Sequence, residues 1–243
     1  MHIVGLVDRI DHVCCRYRLR GYEPIWRRAG HSLELLTWDR SWWARCHPGA
    51  GLRHADVVVI LRKLLPRWQL GLLRRAVRRL VFDFDDAVFL RDSYDRRGTH
   101  CPRRRRRFAA AVHASDAVVA GNSFLAAAAL QTSGPGRVHV IPTCVEPERY
   151  PLAEHRSAGD AVSLVWVGSR STLQGLEWIR PLLNQVGRAC PGVRLKLICD
   201  TFLSFEALPT VACRWSEATE AAEIARGDIG VSWLPDDLWS RGK

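Results

Sequence analysis

The sequence is poor in lysine and methionine and lacks the residue spacings that hold metals. Three of its 36 basic residues are lysines (Lys63, Lys196 and Lys243), and a single methionine opens the chain. Arginine-heavy usage of this kind reflects a GC-rich coding sequence, so the number of arginines means little and their placement means more. Eight cysteines stand at positions 14, 15, 46, 101, 144, 190, 199 and 213 with no C-x-x-C pair, and no Cys/His set has zinc-ligand spacing. They read as reduced thiols, Cys144 and Cys199 as small hydrophobes in or beside apolar runs. No run approaches the roughly 18 apolar residues of a membrane span. The N-terminus, MHIVGLVDRIDHVCC, has no basic segment ahead of a long apolar one and reads as a first strand, not a signal peptide. The expected location is the cytoplasm, free or held at the inner face of a membrane. Neither G-x-G-x-x-G nor a Walker sequence occurs.

What is present excludes a disordered chain: 47% of the 243 residues are apolar and 25% charged. The net charge of +11 is unevenly placed. Residues 1–150 carry 26 basic and 14 acidic side chains, whereas residues 151–243 carry 10 and 11. A uniformly basic nucleic-acid coat is disfavoured, no nucleic-acid motif accompanies the charge, and the basic face belongs to the first half.

Short apolar runs alternate with helical patterns. Strands are expected at His2–Val7, Ser32–Trp38, Asp56–Leu61, Leu80–Phe84, Ala117–Ala120 and Val138–Pro142. Between them lie helices over Arg16–Ala29, Arg67–Arg78, Arg103–Ala114 and Ser123–Leu130. After a Pro-, Gly- and charge-rich stretch at 146–161 the alternation restarts. Strands are then expected at Val162–Val167, Val193–Cys199, Thr210–Trp215 and Ile229–Leu234, with helices over Thr172–Ala189 and Glu217–Arg226. Continuous apolar strands joined by crossover helices mean α/β architecture with parallel sheets covered on both faces. The expected organisation is a domain over 1–145, a linker over 146–161 and a second, incomplete domain over 162–243, whose last strand has no helix to cover it.

In such sheets ligands bind beyond the carboxyl ends of the strands. Four segments fall there: Asp8-Arg9 with the run Arg16-Tyr17-Arg18; Asp83-Phe84-Asp85-Asp86; Gly168-Ser169-Arg170-Ser171-Thr172; and Pro235-Asp236-Asp237. The Gly168–Thr172 turn suits a phosphate, with backbone N–H groups, two hydroxyls and Arg170 at a helix start; an ordinary Ser/Thr N-cap uses the same residues. The carboxylates of FDFDD suit a cation or sugar hydroxyls, or pair with neighbouring arginines. Trp38, Trp42 and Trp43 suit a sugar-stacking face or a packed loop. Arg67–Arg79 reads as a crossover helix with a solvated basic face or as an interfacial helix on anionic lipid. The run Arg103–Arg107 opens a helix, where cations oppose the macrodipole; it is either solvated or met by an anionic partner.

The ordered series VVVILRKLLPRW, RRLVFDFDDAVF, AVVAGNSFLA and VIPTCV, then LVWVGSRSTLQGLE, LKLICD and IGVSWLPDDLWSRGK, resembles bacterial glycosyltransferases of family 4 along nearly the whole chain. The resemblance implies two Rossmann-like domains facing a cleft, the GT-B arrangement. It also implies transfer of a sugar from a nucleotide-sugar donor to a saccharide, lipid-linked or protein acceptor, with retention of configuration and neither cofactor nor metal. It places the donor diphosphate at Gly168, Ser169, Arg170, Ser171 and Thr172, with Lys243 beginning a donor-contacting loop. Asp85 and Asp86 fall beside the donor sugar as the catalytic pair, and Arg16 and Arg18 lie on the acceptor or anion side. Gln174 stands where the family has a lysine and Asp85 where it commonly has a histidine. The family's Glu-x7-Glu helix would follow Lys243, so the resemblance implies a C-terminally truncated enzyme that lacks half its donor site and is inactive as it stands; the alternative is an abbreviated second domain completed by a partner. The competing expectation is a non-catalytic module whose basic first half binds anions or an anionic membrane surface.

Overall fold

The computed structural model describes residues 1–38, 51–134, 136–152 and 161–243. They form two compact units, one of Met1–Val145 with Asp236–Lys243 and one of Glu146–Pro235.

The first unit opens with β1 (His2–Val7), α1 (Val13–Arg18), α2 (Glu23–Arg28) and β2 (Ser32–Thr37). Next come β3 (Val57–Leu61), α3 (Arg67–Ala76), β4 (Leu80–Phe84), α4 (Pro102–Ala114), β5 (Ala117–Ala120), α5 (Ser123–Leu130) and β6 (Val138–Val140). The sheet is parallel throughout, in the order β2-β1-β3-β4-β5-β6. Strand alternation explains why its runs are apolar at every position. Val4, Leu6, Val58 and Ile60 enter one core, with Phe82, Phe84 and Phe108, while Ile3, Val7, Val59 and Leu61 enter another with Cys14, Cys15 and Leu19. The chain then returns at Asp236–Lys243: Trp239 packs on the larger core, and a Cβ on Gly242 would stand 2.8 Å from the backbone N of Ala87.

The second unit holds β7 (Val162–Val167), α6 (Arg170–Trp178), α7 (Arg180–Ala189), β8 (Val193–Cys199), β9 (Thr210–Arg214), α8 (Glu220–Ala225) and β10 (Ile229–Gly230). Its parallel sheet runs β10-β7-β8-β9. Trp166, Leu195 and Leu197 pack with Leu173, Leu176 and Leu183 from α6 and α7.

Three expected elements are corrected. The helix expected over Thr172–Ala189 is two, separated at Ile179, because Pro181 has no N–H to donate and its ring clashes with the carbonyl of Glu177. Pro24 divides Arg16–Ala29 by the same mechanism at Arg20, leaving a 3-10 turn over Arg20–Tyr22. The strand expected over Ile229–Leu234 spans only Ile229–Gly230.

Candidate functional site

Each sheet reverses its strand order beside its first strand: β2 and β3 flank β1, and β10 and β8 flank β7. Reversal sends successive crossovers to opposite sides and opens a crevice at the carboxyl ends, the usual ligand seat of such sheets.

In the first unit a cavity of about 940 Å³ lies at this point, walled by Val7–Arg9 and His12, by Leu61–Leu64, by the loop after β4 and by the start of α4. Nine cationic side chains line it against two carboxylates, Asp8 and Asp95. Both acids are engaged: Asp8 with Lys63 at 2.5 Å, and Asp95 with Arg97 at 2.8 Å and Arg91 at 3.7 Å. Arg9 pairs with Asp11 at 2.6 Å. Arg104 donates to the carbonyls of Leu90 (3.0 Å) and Val88 (3.3 Å), and Arg107 donates to that of Leu64 (3.4 Å). No pairing signal for Arg62 and Lys63 is visible in the sequence, although two cations directly after an apolar strand lie at a carboxyl end.

Beside this cavity the end of β4 and the loop after it carry three carboxylates, Asp83 in the strand and Asp85 and Asp86 beyond it. Asp83 is turned inward, where Arg18 meets it with two bonds, Nε to Oδ1 at 2.9 Å and Nη2 to Oδ2 at 3.1 Å. Burial pushes the Asp83 carboxyl up to about 6 against the opposing pull of Arg18. Asp85 and Asp86 share Arg62, whose Nε lies 3.4 Å from Asp85 Oδ1 and whose Nη2 donates to Asp86 Oδ2. Arg62 adopts φ +62°, a left-handed conformation that a non-glycine residue keeps only where its surroundings fix it, and such residues gather at functional sites. Lys243 Nζ completes the cluster 2.5 Å from Asp86 Oδ1 and sits 4.6 Å from the Trp239 ring centroid. Asn122 Nδ2 holds the carbonyls of Arg241 and Lys243, each at 3.3 Å. The structure therefore brings together Asp85, Asp86 and Lys243, with Arg62 shared between the two carboxylates and Asp83 close enough to feel the charge of Asp85. Among the described residues no three His, Cys, Asp or Glu side chains converge as a metal site requires.

Arg18 itself is 3% exposed, and its third donor goes to the carbonyl of Ile141 at 2.6 Å. Its guanidinium faces the interior, so it offers no surface to an anionic ligand. Arg16 is also buried, its guanidinium 4.7 Å from the Tyr17 ring centroid. In α3 the core side is Leu70, Leu73 and Ala76, and Trp68 and Leu72 are exposed. Trp38 packs on the larger core, and Trp42 and Trp43 lie outside the described residues.

In the second unit β7 delivers Gly168 to the start of α6. A Cβ there would lie 2.6 Å from the Trp166 ring and 2.7 Å from Thr172 Oγ1, so a larger residue would have to displace both side chains. Thr172 Oγ1 accepts from Ser169 N–H at 3.0 Å, and the Ser169 and Ser171 hydroxyls lie 2.8 Å apart. Thr172 is thus engaged in capping, while Arg170 and Ser171 are exposed and line a cavity of about 680 Å³ with Gln174, Glu177 and Thr201. Among the described residues no carboxylate pairs with Arg170.

The sequence matches no family profile and no curated relative. Its likeness is to solved structures. A lipopolysaccharide outer core galactosyltransferase, WaaB, in its apo form, superposes with TM-score 0.56 at 11% identity, over 93% of this chain and 72% of that one. The fold is of the GT-B type. A structure from Listeria monocytogenes described as a putative UDP-N-acetylglucosamine 2-epimerase superposes with TM-score 0.53 at 7% identity, over 88% of this chain and 69% of that one. TarM matches 72% of this chain with TM-score 0.50 at 5% identity, and the chain spans 35% of that longer protein.

Proposed function

We propose that the chain belongs to a glycosyltransferase that moves a sugar from a nucleotide-sugar to an acceptor, with retention and without a metal. In this reading the second unit takes the donor and the first the acceptor. The observation that carries it is the Gly168–Thr172 turn: a glycine-containing bend at the carboxyl end of β7 that opens a helix and carries an exposed Arg170. Backbone N–H groups and a guanidinium there suit a departing diphosphate, whose developing charge they would stabilise. Asp85 and Asp86 position sugar hydroxyls, and Lys243 holds Asp86 and balances its charge. On this reading the reaction is expected in the cytoplasm, free or at the inner face of a membrane. Among the described residues no helix is long and apolar enough to cross a membrane.

A charge-assisted hydrogen bond contributes about 1.5–3 kcal/mol, so Arg170→Ala should weaken UDP or GDP binding by about 10- to 150-fold. Calorimetric titration with UDP- and GDP-sugars reads this, and the melting temperature should stay unchanged because the side chain is exposed. Equal loss of binding and folding would sink the assignment. The likeness to an epimerase favours a second reading, in which the same donor site inverts a sugar centre. Incubation with UDP-sugars and no acceptor separates the two: an epimerised nucleotide-sugar supports epimerisation, and transfer that needs an added acceptor supports the first reading.

A further inference from the structure

The cavity of the first unit has a charge imbalance that nothing in the fold requires. Arg103, Arg104, Arg106 and Arg107 stand on the first two turns of α4, and among the described residues none of them meets a carboxylate. Cations at a helix N-terminus oppose the macrodipole, and four in five residues also repel one another. Two of the four are nonetheless held in place, Arg104 by Leu90 O and Arg107 by Leu64 O, which fixes their guanidinium groups on the cavity wall. The volume, about 940 Å³, admits a ligand of sugar-phosphate size. Planar guanidinium forks match phosphate oxygens in pairs, and a dianion would relieve both the mutual repulsion and the dipole.

We propose that this cavity seats the phosphate or pyrophosphate group of a phosphorylated acceptor. The identification of the ligand as an acceptor rests on the transferase reading above; the anion seat rests on the cavity alone. A soluble sugar phosphate and a lipid-linked pyrophosphate present the same group, and the experiment distinguishes them.

Cys101 lines the cavity at the start of α4, where the backbone N–H of Arg104 and the Arg91 guanidinium draw its thiol below the usual range. Its alkylation by iodoacetamide, mapped by peptide mass spectrometry on the whole chain, reports occupancy at this site and not at Gly168–Thr172. In an Arg170→Ala background inorganic pyrophosphate should slow Cys101 alkylation in a saturable way. Arg103→Ala with Arg106→Ala should weaken that protection at least tenfold, while UDP-sugar affinity, measured with Arg170 intact, is retained. The same double variant should melt no lower than the parent, since alanine favours the helix and two opposing cations are gone.

Protection by glucose 1-phosphate points to a soluble acceptor, and protection by a short-chain isoprenyl pyrophosphate alone points to a lipid-linked one; either supports the seat. Absence of protection by pyrophosphate overturns it. So does protection by phosphatidylglycerol vesicles alone, which would make this a membrane-contacting surface. Protection of Cys101 with no UDP- or GDP-sugar binding keeps the anion seat and removes the acceptor role, so the two readings fail separately.

Discussion

Arg18→Met tests whether the buried pair of the first unit is structural, and its cost should depend on pH. Arg18 and Asp83 side chains are 1% and 8% exposed, and the carboxyl sits near 6 with the arginine present. An unfolded aspartate titrates at about 3.9, so between the two values the folded protein binds more protons than the unfolded chain. Stability contributed by this group is therefore present at low pH and declines as pH rises from about 4 to about 6, by about 1.4 kcal/mol per unit and about 3 kcal/mol in all. Removing Arg18 leaves burial unopposed, moves the folded value above 6 and extends the decline upward. At pH 5 both proteins hold a protonated Asp83. The loss there is that of unsatisfied groups at Asp83 and Ile141, about 1–3 kcal/mol. At pH 8 an uncompensated buried carboxylate should cost about 3–5 kcal/mol. Hydrogen exchange of peptides from β1, β3 and β4 reads the first unit separately from the second. Replacing both partners, Arg18→Met with Asp83→Leu, should restore most of the stability at pH 8, because neither charge is then left buried. A loss equal at pH 5 and pH 8, or a double variant weaker than the single, would refute the reasoning.

Two further outcomes follow from packing and burial. Gly187 lies inside α7, where alanine ordinarily gains about 0.5–1 kcal/mol. Here a Cβ would stand 2.0 Å from the carbonyl oxygen of Ala207, so Gly187→Ala should instead destabilise the second unit by about 1–3 kcal/mol in urea unfolding; a stabilised variant would contradict the contact. Burial pushes the thiols of Cys14 and Cys15 up to about 12 and about 11, so at pH 8 both should alkylate far more slowly than Cys101 under native conditions. Equal labelling at the three positions would show that the helix carrying the pair opens readily.

The α/β class and the parallel sheets were legible because each strand is buried on both faces, which writes an uninterrupted apolar run into the chain. Leu80–Phe84, Ala117–Ala120, Val162–Val167 and Val193–Cys199 form at the residues expected. Helix continuity was less legible: periodicity carries across Pro24 and Pro181, but the backbone does not. The candidate site was legible only in part. Gly168–Thr172 and Asp85–Asp86 lie next to strand ends in sequence, so order along the chain locates them. The partners that decide their chemistry do not. Arg18 finds Asp83 across 65 residues because α1 and β4 enclose the same crevice, and nothing in a run of Arg-Tyr-Arg shows which guanidinium turns inward. Arg62 reaches Asp86 only because β3 and β4 are neighbours in the sheet.

That difference in partners also bears on where charge enters the molecule. Asp86 already holds Arg62 and Lys243, and Asp85 holds Arg62, so the acidic loop is neutralised from within the first unit. A free cation would have to displace a guanidinium to bind there, whereas neutral hydroxyls need only share the remaining lone pairs of carboxylates whose geometry is already fixed. Under the proposed transferase reading, those lone pairs are what would position a sugar at the loop. The arginines of α4 present the opposite condition, since their charge has no internal counterpart among the described residues and a ligand would supply it. One crevice thus suits a molecule with hydroxyl groups at one end and a phosphate at the other. A neutral saccharide would satisfy the acidic loop alone and leave the electrostatic cost of α4 unrelieved.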